Sequence, residues 1–196
     1  MSSILITGCQ GGALRYTTDV LRKCGVAVAY KQAGRRGTVD WRVGVGSPEQ
    51  YDLVVVQTRD LRKVATSFGM TATNEDWQVA HRWIARRFGA SLPHPADHPK
   101  ETGVLYCFAW YRMLDVWAHH TYQVERLPEH LPRLLELMGV QVATEQRNKA
   151  LRSNRRGTPE AKRRIRGYWT WQEIEAVAWG KELKALASKL GYEVYT

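Results

Sequence analysis

The segment Asp52–Thr58, Asp-Leu-Val-Val-Val-Gln-Thr, constrains this chain more than any other. Its four consecutive apolar residues, three of them β-branched, show no polar alternation. Such a strand must be buried on both faces, which is the situation of a central strand in a parallel sheet covered by helices. Ser3–Thr7 (Ser-Ile-Leu-Ile-Thr) has the same character and runs into Gly8, after which Gly11 and Gly12 form a loop. From Ala13 or Leu14 onward, Leu14, Val20, Leu21 and Cys24 recur at helical spacing until Gly25 stops the helix. Val26–Tyr30 is expected to be a second strand and Gly34–Gly37 a turn. This alternation calls for an α/β fold with a central parallel sheet and helices on both faces.

The alternation continues downstream. Helices are expected over Leu61–Phe68, around Trp77, Val79, Ala80, Trp83, Ile84 and Phe88, over Leu105–His119, over Leu131–Met138, and over Trp171–Leu190. A strand is expected at Thr121–Val124 and a Pro-rich loop at Leu92–Pro99. A length of 196 residues suits one domain spanning 1–196, with 70–103 as its variable region. No apolar run approaches the roughly 18–20 residues of a membrane span, and no basic leader precedes the first strand, so a cytoplasmic protein without a membrane partner is expected. Cys9, Cys24 and Cys107 lack C-x-x-C spacing, which argues against a disulfide framework or a structural zinc site. His94 and His98 have a metal-like separation, but Pro95 and Pro99 interrupt any helix that would align them, and no metal is expected.

The formal charge is +10, from 29 Lys and Arg against 19 Asp and Glu. Between Arg147 and Arg166 lie nine basic residues and one acid, Glu160, so most of the excess belongs to one polar stretch that reads as a loop. A solvated charge run, a localised anion site and a nucleic-acid contact surface are all compatible with it. No reader motif for nucleic acid accompanies it.

A strand that enters a glycine turn and then a helix presents unpaired backbone N–H groups and a positive helix end to an anion. The strict triphosphatase pattern G-x-x-x-x-G-K-[ST] is not met, because Ala13 stands at the second glycine and Leu14 at the lysine. A kinase or ATPase is therefore disfavoured. Val54-Val55-Val56-Gln57-Thr58-Arg59-Asp60-Leu61, with Ser67 eight residues after Arg59, supplies a strand that delivers a planar five-donor cation at its end and a hydroxyl on the next helix.

That second landmark resembles the 3′-phosphate-binding motif of the sulfotransferase family, in which a strand ends in Arg-Asp-Pro and a serine follows eight residues after the Arg; Leu61 stands at the Pro. Ile4–Gly8 is similar to the family's first strand and Gly8–Leu21 to its 5′-phosphosulfate loop and helix. Gly34–Trp41 looks like a segment that follows the second strand in bacterial and phage-type members. Tyr122–Leu127 is similar to the strand ending in Glu-Asp-Leu, Asn154–Gly157 to the basic loop that closes over the nucleotide, and Trp171–Tyr192 to the terminal helix. The resemblance implies a P-loop-like nucleotide-binding fold of three α/β/α layers. It implies 3′-phosphoadenosine-5′-phosphosulfate as donor, 3′,5′-adenosine bisphosphate as product, and transfer of the sulfuryl group to a hydroxyl or amine without a metal. The donor site it implies is Gly11, Gly12, Ala13, Leu14, Arg15, Tyr16 and Thr17 at the 5′ end, Arg59 and Ser67 at the 3′-phosphate, and Arg155, Arg156 and Gly157 over it.

The chain departs from the family at the loop, where Gly11, Gly12, Ala13 and Leu14 occupy the usual Lys/Arg-Ser-Gly-Thr positions. Charge builds on the bridging oxygen in the transition state, so a cation is needed there, and Arg15 is the nearest, with Thr17 or Thr18 offering hydroxyls. Asp40 and His81 are the candidate general bases, either acting only if it reaches the acceptor. The alternatives are a protein that kept the nucleotide site and lost transfer, and a nucleic-acid-binding protein using the basic stretch. The acceptor and the oligomeric state are not legible.

Overall fold

In the computed structural model, residues 3–31, 37–42, 46, 48–153 and 167–195 are described. The Arg155, Arg156 and Gly157 expectations, most of the Gly34–Gly37 turn and the second part of the basic stretch lie outside them. Five parallel strands form one sheet: β1 (Ile4–Gly8), β2 (Ala29–Tyr30), β3 (Thr38–Val39), β4 (Leu53–Thr58) and β5 (His120–Gln123), in the order β2-β3-β1-β4-β5. β1 and β4 form the centre, in register from Ile4↔Leu53 to Gly8↔Gln57. β1 is buried at every position and β4 at all but its first, as their unbroken apolar runs require.

Helix α1 (Leu14–Lys23) covers one face of the sheet, joined there by α5 (Leu127–Leu137) and α6 (Thr144–Ser153). The opposite face carries α2 (Leu61–Thr71), α4 (Pro99–Asp115) and, packed on α4, α3 (Asn74–Phe88) and α8 (Gly180–Lys189), with α7 (Trp171–Glu175) against α8. Side chains mark the two faces. Gln57 and Tyr122 point to Thr17 of α1, whereas Thr58 points to Tyr192 of the carboxy-terminal segment. The α/β expectation, a central parallel sheet with helices on both sides, is met.

Several boundaries differ from expectation, each for an identifiable reason. The second strand is only two residues long, because Val26 donates to the Leu21 carbonyl and so closes α1 rather than starting β2. β3 was not anticipated; two residues are too short for a periodic signal. α4 begins six residues before the expected Leu105, at Pro99, whose missing N–H costs nothing at a first-turn position. Residues 144–153, expected to be loop from 147 on, are helical: Ala150 and Leu151 alone are buried, too sparse an apolar stripe to read. The terminal helix is two helices, because Trp179 turns left-handed (φ 68°) and the chain there folds back on the Ile174 carbonyl.

Candidate functional site

β1 lies where the strand order reverses: β2 and β3 are to one side and β4 and β5 to the other. Chains leaving the carboxyl ends of β1 and β4 therefore diverge onto opposite faces of the sheet, and the crevice between them is where open α/β sheets bind ligands. The β1–α1 loop and Arg59 both arise at this crevice.

The loop is held from every side. Gly12 N–H donates to the Cys9 carbonyl at 2.9 Å, and Gln10 N–H to the phenolic oxygen of Tyr106 at 2.7 Å. Tyr106 is wholly buried and stacks on Phe68 with ring centroids 3.5 Å apart. Gln57, also wholly buried, donates its side-chain N–H to the Gly12 carbonyl and accepts at Oε1 from the hydroxyls of Thr17 and, at 2.6 Å, Tyr122. One amide thus joins the loop to α1, β4 and β5. Burial pushes the Tyr122 hydroxyl pKa well up, and it remains a donor. Burial and the neighbouring Cys107 thiol push Cys9 up as well, so the sulfur beneath the loop is a protonated packing group and not a nucleophile.

On the β4 side, Arg59 Nη1 donates to the Gly11 carbonyl at 2.7 Å. Ser67, one turn and a half into α2, faces the same residue: a Cβ on Gly11 would lie 2.9 Å from Ser67 Oγ and 3.0 Å from its Cβ, and Gly11 has φ +82°. Only glycine suits that place on both counts. Neither Arg59 nor the Ser67 hydroxyl has a carboxylate partner among the described residues. The turn that carries Arg59 is fixed separately. Asp60 caps α2 through Arg62 N–H, its own N–H donates to Glu125 Oε1 at 3.0 Å, and Glu125 Oε2 accepts from Tyr192. Burial works to raise the Asp60 carboxyl pKa, but Arg62 and Lys63 outweigh it and hold it below the usual range.

α1 starts without a side-chain cap and without an acid in its first turn, and the N–H groups of Ala13, Leu14 and Arg15 have no protein partner among the described residues. Together with the helix dipole they form an anion-facing edge. Ala13 itself has φ 64°, a left-handed conformation that costs an L-residue about 1 kcal/mol. Ala13→Gly is therefore expected to raise thermal stability by roughly 2 °C, read from a melting curve.

The remaining expected residues divide. Arg15 is exposed on the first turn of α1. Tyr16 is half-buried against the core. Leu14 is buried, and Thr17, expected to bear on the nucleotide, has its hydroxyl committed to Gln57. Thr18 bonds back to the Leu14 carbonyl. Asp40 follows β3, its N–H on the Ile6 carbonyl and its Oδ1 accepting from Arg42 N–H, which places it at the same sheet edge as the loop, on the β3 side. Burial and the Asp40 charge raise the pKa of the nearby Tyr30 hydroxyl, and Arg15 partly offsets them. His81 does not join this group: its Nδ1 pairs with the Leu92 carbonyl at 3.2 Å and its ring packs on Trp77. Gln57, Gln10 and Tyr106 were not singled out from the sequence, where a polar residue in an apolar strand is the only sign of the first.

Among the described residues no group of three or more His, Cys, Asp or Glu is arranged to hold a metal, and no helix is long and apolar enough to cross a membrane. No protein-family model matches this chain, and no curated protein matches it in sequence. Among solved structures, mouse sulfotransferase SULT7A1 complexed with PAP is similar over 95% of this chain and 89% of that one, with 10% sequence identity and a TM-score of 0.48.

Proposed function

We propose that this chain binds a 3′-phosphorylated adenosine 5′-phosphosulfate in the β1–β4 crevice and transfers its sulfuryl group to a hydroxyl or amine. The observation that carries the reading is the convergence of Arg59 and Ser67 on Gly11. A cation and a hydroxyl from β4 and α2 meet the glycine loop of β1, so that two anionic ends of one nucleotide have two adjoining places. The 3′-phosphate lies against Arg59 and Ser67, and the 5′ end against the free N–H groups of Ala13, Leu14 and Arg15. In the transfer step the acceptor oxygen or nitrogen attacks sulfur, the bond from sulfur to the 5′-phosphate oxygen breaks, and 3′,5′-adenosine bisphosphate leaves. The acceptor proton passes to the Asp40 carboxylate, and the Arg15 guanidinium faces the charge that develops on the leaving oxygen. Arg155 and Arg156 belong to the same proposal as a cover over the 3′-phosphate.

A second reading, a nucleotide binder without transfer, is favoured by one observation: Thr17 gives its hydroxyl to Gln57, Leu14 is buried and Tyr16 is half-buried, which leaves Arg15 as the fully exposed side chain of the first turn. Titration calorimetry with 3′,5′-adenosine bisphosphate and with AMP tests both. The bisphosphate should bind and AMP should bind far more weakly; equal, negligible heats remove both readings. Arg59→Ala should weaken bisphosphate binding roughly 100-fold with the circular dichroism spectrum unchanged. Salt-sensitive DNA or RNA binding that survives Arg59→Ala would instead favour a nucleic-acid role for the basic stretch. Donor turnover with an acceptor library separates the enzyme from the binder.

A further inference from the structure

The glycine loop is tied to a helix that the sheet topology does not require it to touch. Gln10 Nε2 donates to Asp76 Oδ2 at 2.7 Å, across 66 positions of sequence, and Asp76 lies in the first turn of α3. The same carboxylate oxygen accepts from Thr73 Oγ1 at 2.9 Å, and Oδ1 accepts from Arg42 Nη2 at 3.0 Å. Asp76 is 6% exposed. Thr73 in turn accepts from Asp76 N–H and so caps α3. Three segments distant in sequence, the loop after β1, the residue two beyond Asp40, and the start of α3, therefore share one buried carboxylate.

Nothing about capping α3 calls for this. Thr73 already supplies the cap, and an exposed aspartate would suit the first turn as well. A carboxylate is buried at a cost unless its oxygens are satisfied, and these receive a donor from each of three segments. Burial works to raise the Asp76 pKa, while the bonds from Gln10, Thr73 and Arg42 outweigh it and hold it low, so the group is ionised at neutral pH. With its side chain pulled toward α3 and its N–H on Tyr106, Gln10 has both ends fixed, and the backbone of Gly11 follows directly after it.

We infer that Asp76 is a positioning residue for nucleotide binding: through Gln10 it sets the conformation of the glycine loop, and through Arg42 it links that loop to the Asp40 side of the crevice. The inference rests on the proposed nucleotide site but concerns a residue outside it. Without the tether Gln10 swings free, Gly11 samples other conformations, and the carbonyl that orients Arg59 moves with it.

The test is a double-mutant cycle with Asp76→Ala and Gln10→Met, read by calorimetry with 3′,5′-adenosine bisphosphate at a temperature where every variant is folded. Each single variant should bind about tenfold more weakly, and the double variant no more weakly than either, because both remove one tether. Glu75→Gln, which removes only the exposed pair with Arg42, should bind as the parent does. Lower melting temperature with unchanged affinity in both single variants, or losses that simply multiply, would overturn the inference. A second readout separates this outcome from failure of the nucleotide proposal. Should the parent protein not bind the bisphosphate, amide hydrogen exchange at Gly11 and Gly12 in the unliganded variants decides. Exchange faster than in the parent, equal in both singles and no faster in the double, supports the tether; exchange identical to the parent refutes it.

Discussion

Gln57→Leu is expected to lower the free energy of unfolding by about 3–6 kcal/mol. The substitution keeps the volume and apolar fit of a central strand position and removes only the amide. It leaves the Gly12 carbonyl and the Thr17 and Tyr122 hydroxyls without the partner they now share. A buried polar group stripped of its partner costs about 1–3 kcal/mol; the Gly12 carbonyl is stripped outright, and the two hydroxyls keep only the longer bond of 3.4 Å between them. Urea denaturation measures the difference; a loss below about 1 kcal/mol would mean that these groups find other partners easily. Gln57→Glu adds a sign. Its carboxyl can donate to the Gly12 carbonyl only when protonated, so its folded-state pKa lies above the ordinary glutamate value. Between the two pKa values the native state binds more protons than the unfolded one, and stability falls as pH rises through that window. The variant should therefore be more stable at pH 4 than at pH 7 relative to the parent.

Gly103→Ala is expected to cost about 3 kcal/mol or more and to weaken the proposed nucleotide site with it. A Cβ at residue 103 would lie 2.1 Å from the Ala65 carbonyl oxygen and 2.9 Å from the Trp169 ring, and at Gly69 the corresponding approach is 2.0 Å from the Pro99 carbonyl. Here α2 and α4 cross with backbone against backbone, and no side chain is free to give way. Overpacking of that kind typically costs about 1–3 kcal/mol when side chains absorb it, and more when helices must separate. The helix displaced is α2, which carries Ser67 against Gly11. Loss of melting temperature should thus be accompanied by weaker bisphosphate binding. A variant as stable as the parent would show that the two helices slide apart at little cost.

The sheet and the site were unequally legible. β1 and β4 announced themselves because both faces are buried and each apolar residue reports on burial directly. Arg59 and Ser67 were singled out by spacing and the loop by its glycines, and the fold brings both side chains to Gly11. The helix at 144–153 escaped because two buried residues, Ala150 and Leu151, do not make a stripe among so many charges. His81 lies apart from the loop, bonded to the Leu92 carbonyl, and its place was illegible for a different reason. A histidine on an amphipathic helix looks the same in sequence whether it faces a substrate or a main-chain carbonyl, and Leu92, which it meets, lies in a loop whose path no periodicity predicts. Gln57, Gln10 and Asp76 depend on partners 34 to 96 positions away, and pairings at that range follow from the assembled fold rather than from any local pattern.

The bond from Arg59 to the Gly11 carbonyl bears on how an anion would be met. A free arginine side chain gives up about 1.5–2 kcal/mol of rotamer entropy when it is ordered. In this chain that ordering is completed during folding, because the guanidinium is already anchored at one nitrogen while its other N–H donors have no partner among the described residues. An arriving phosphate would find a cation whose direction is settled, and more of the contact energy would appear as affinity.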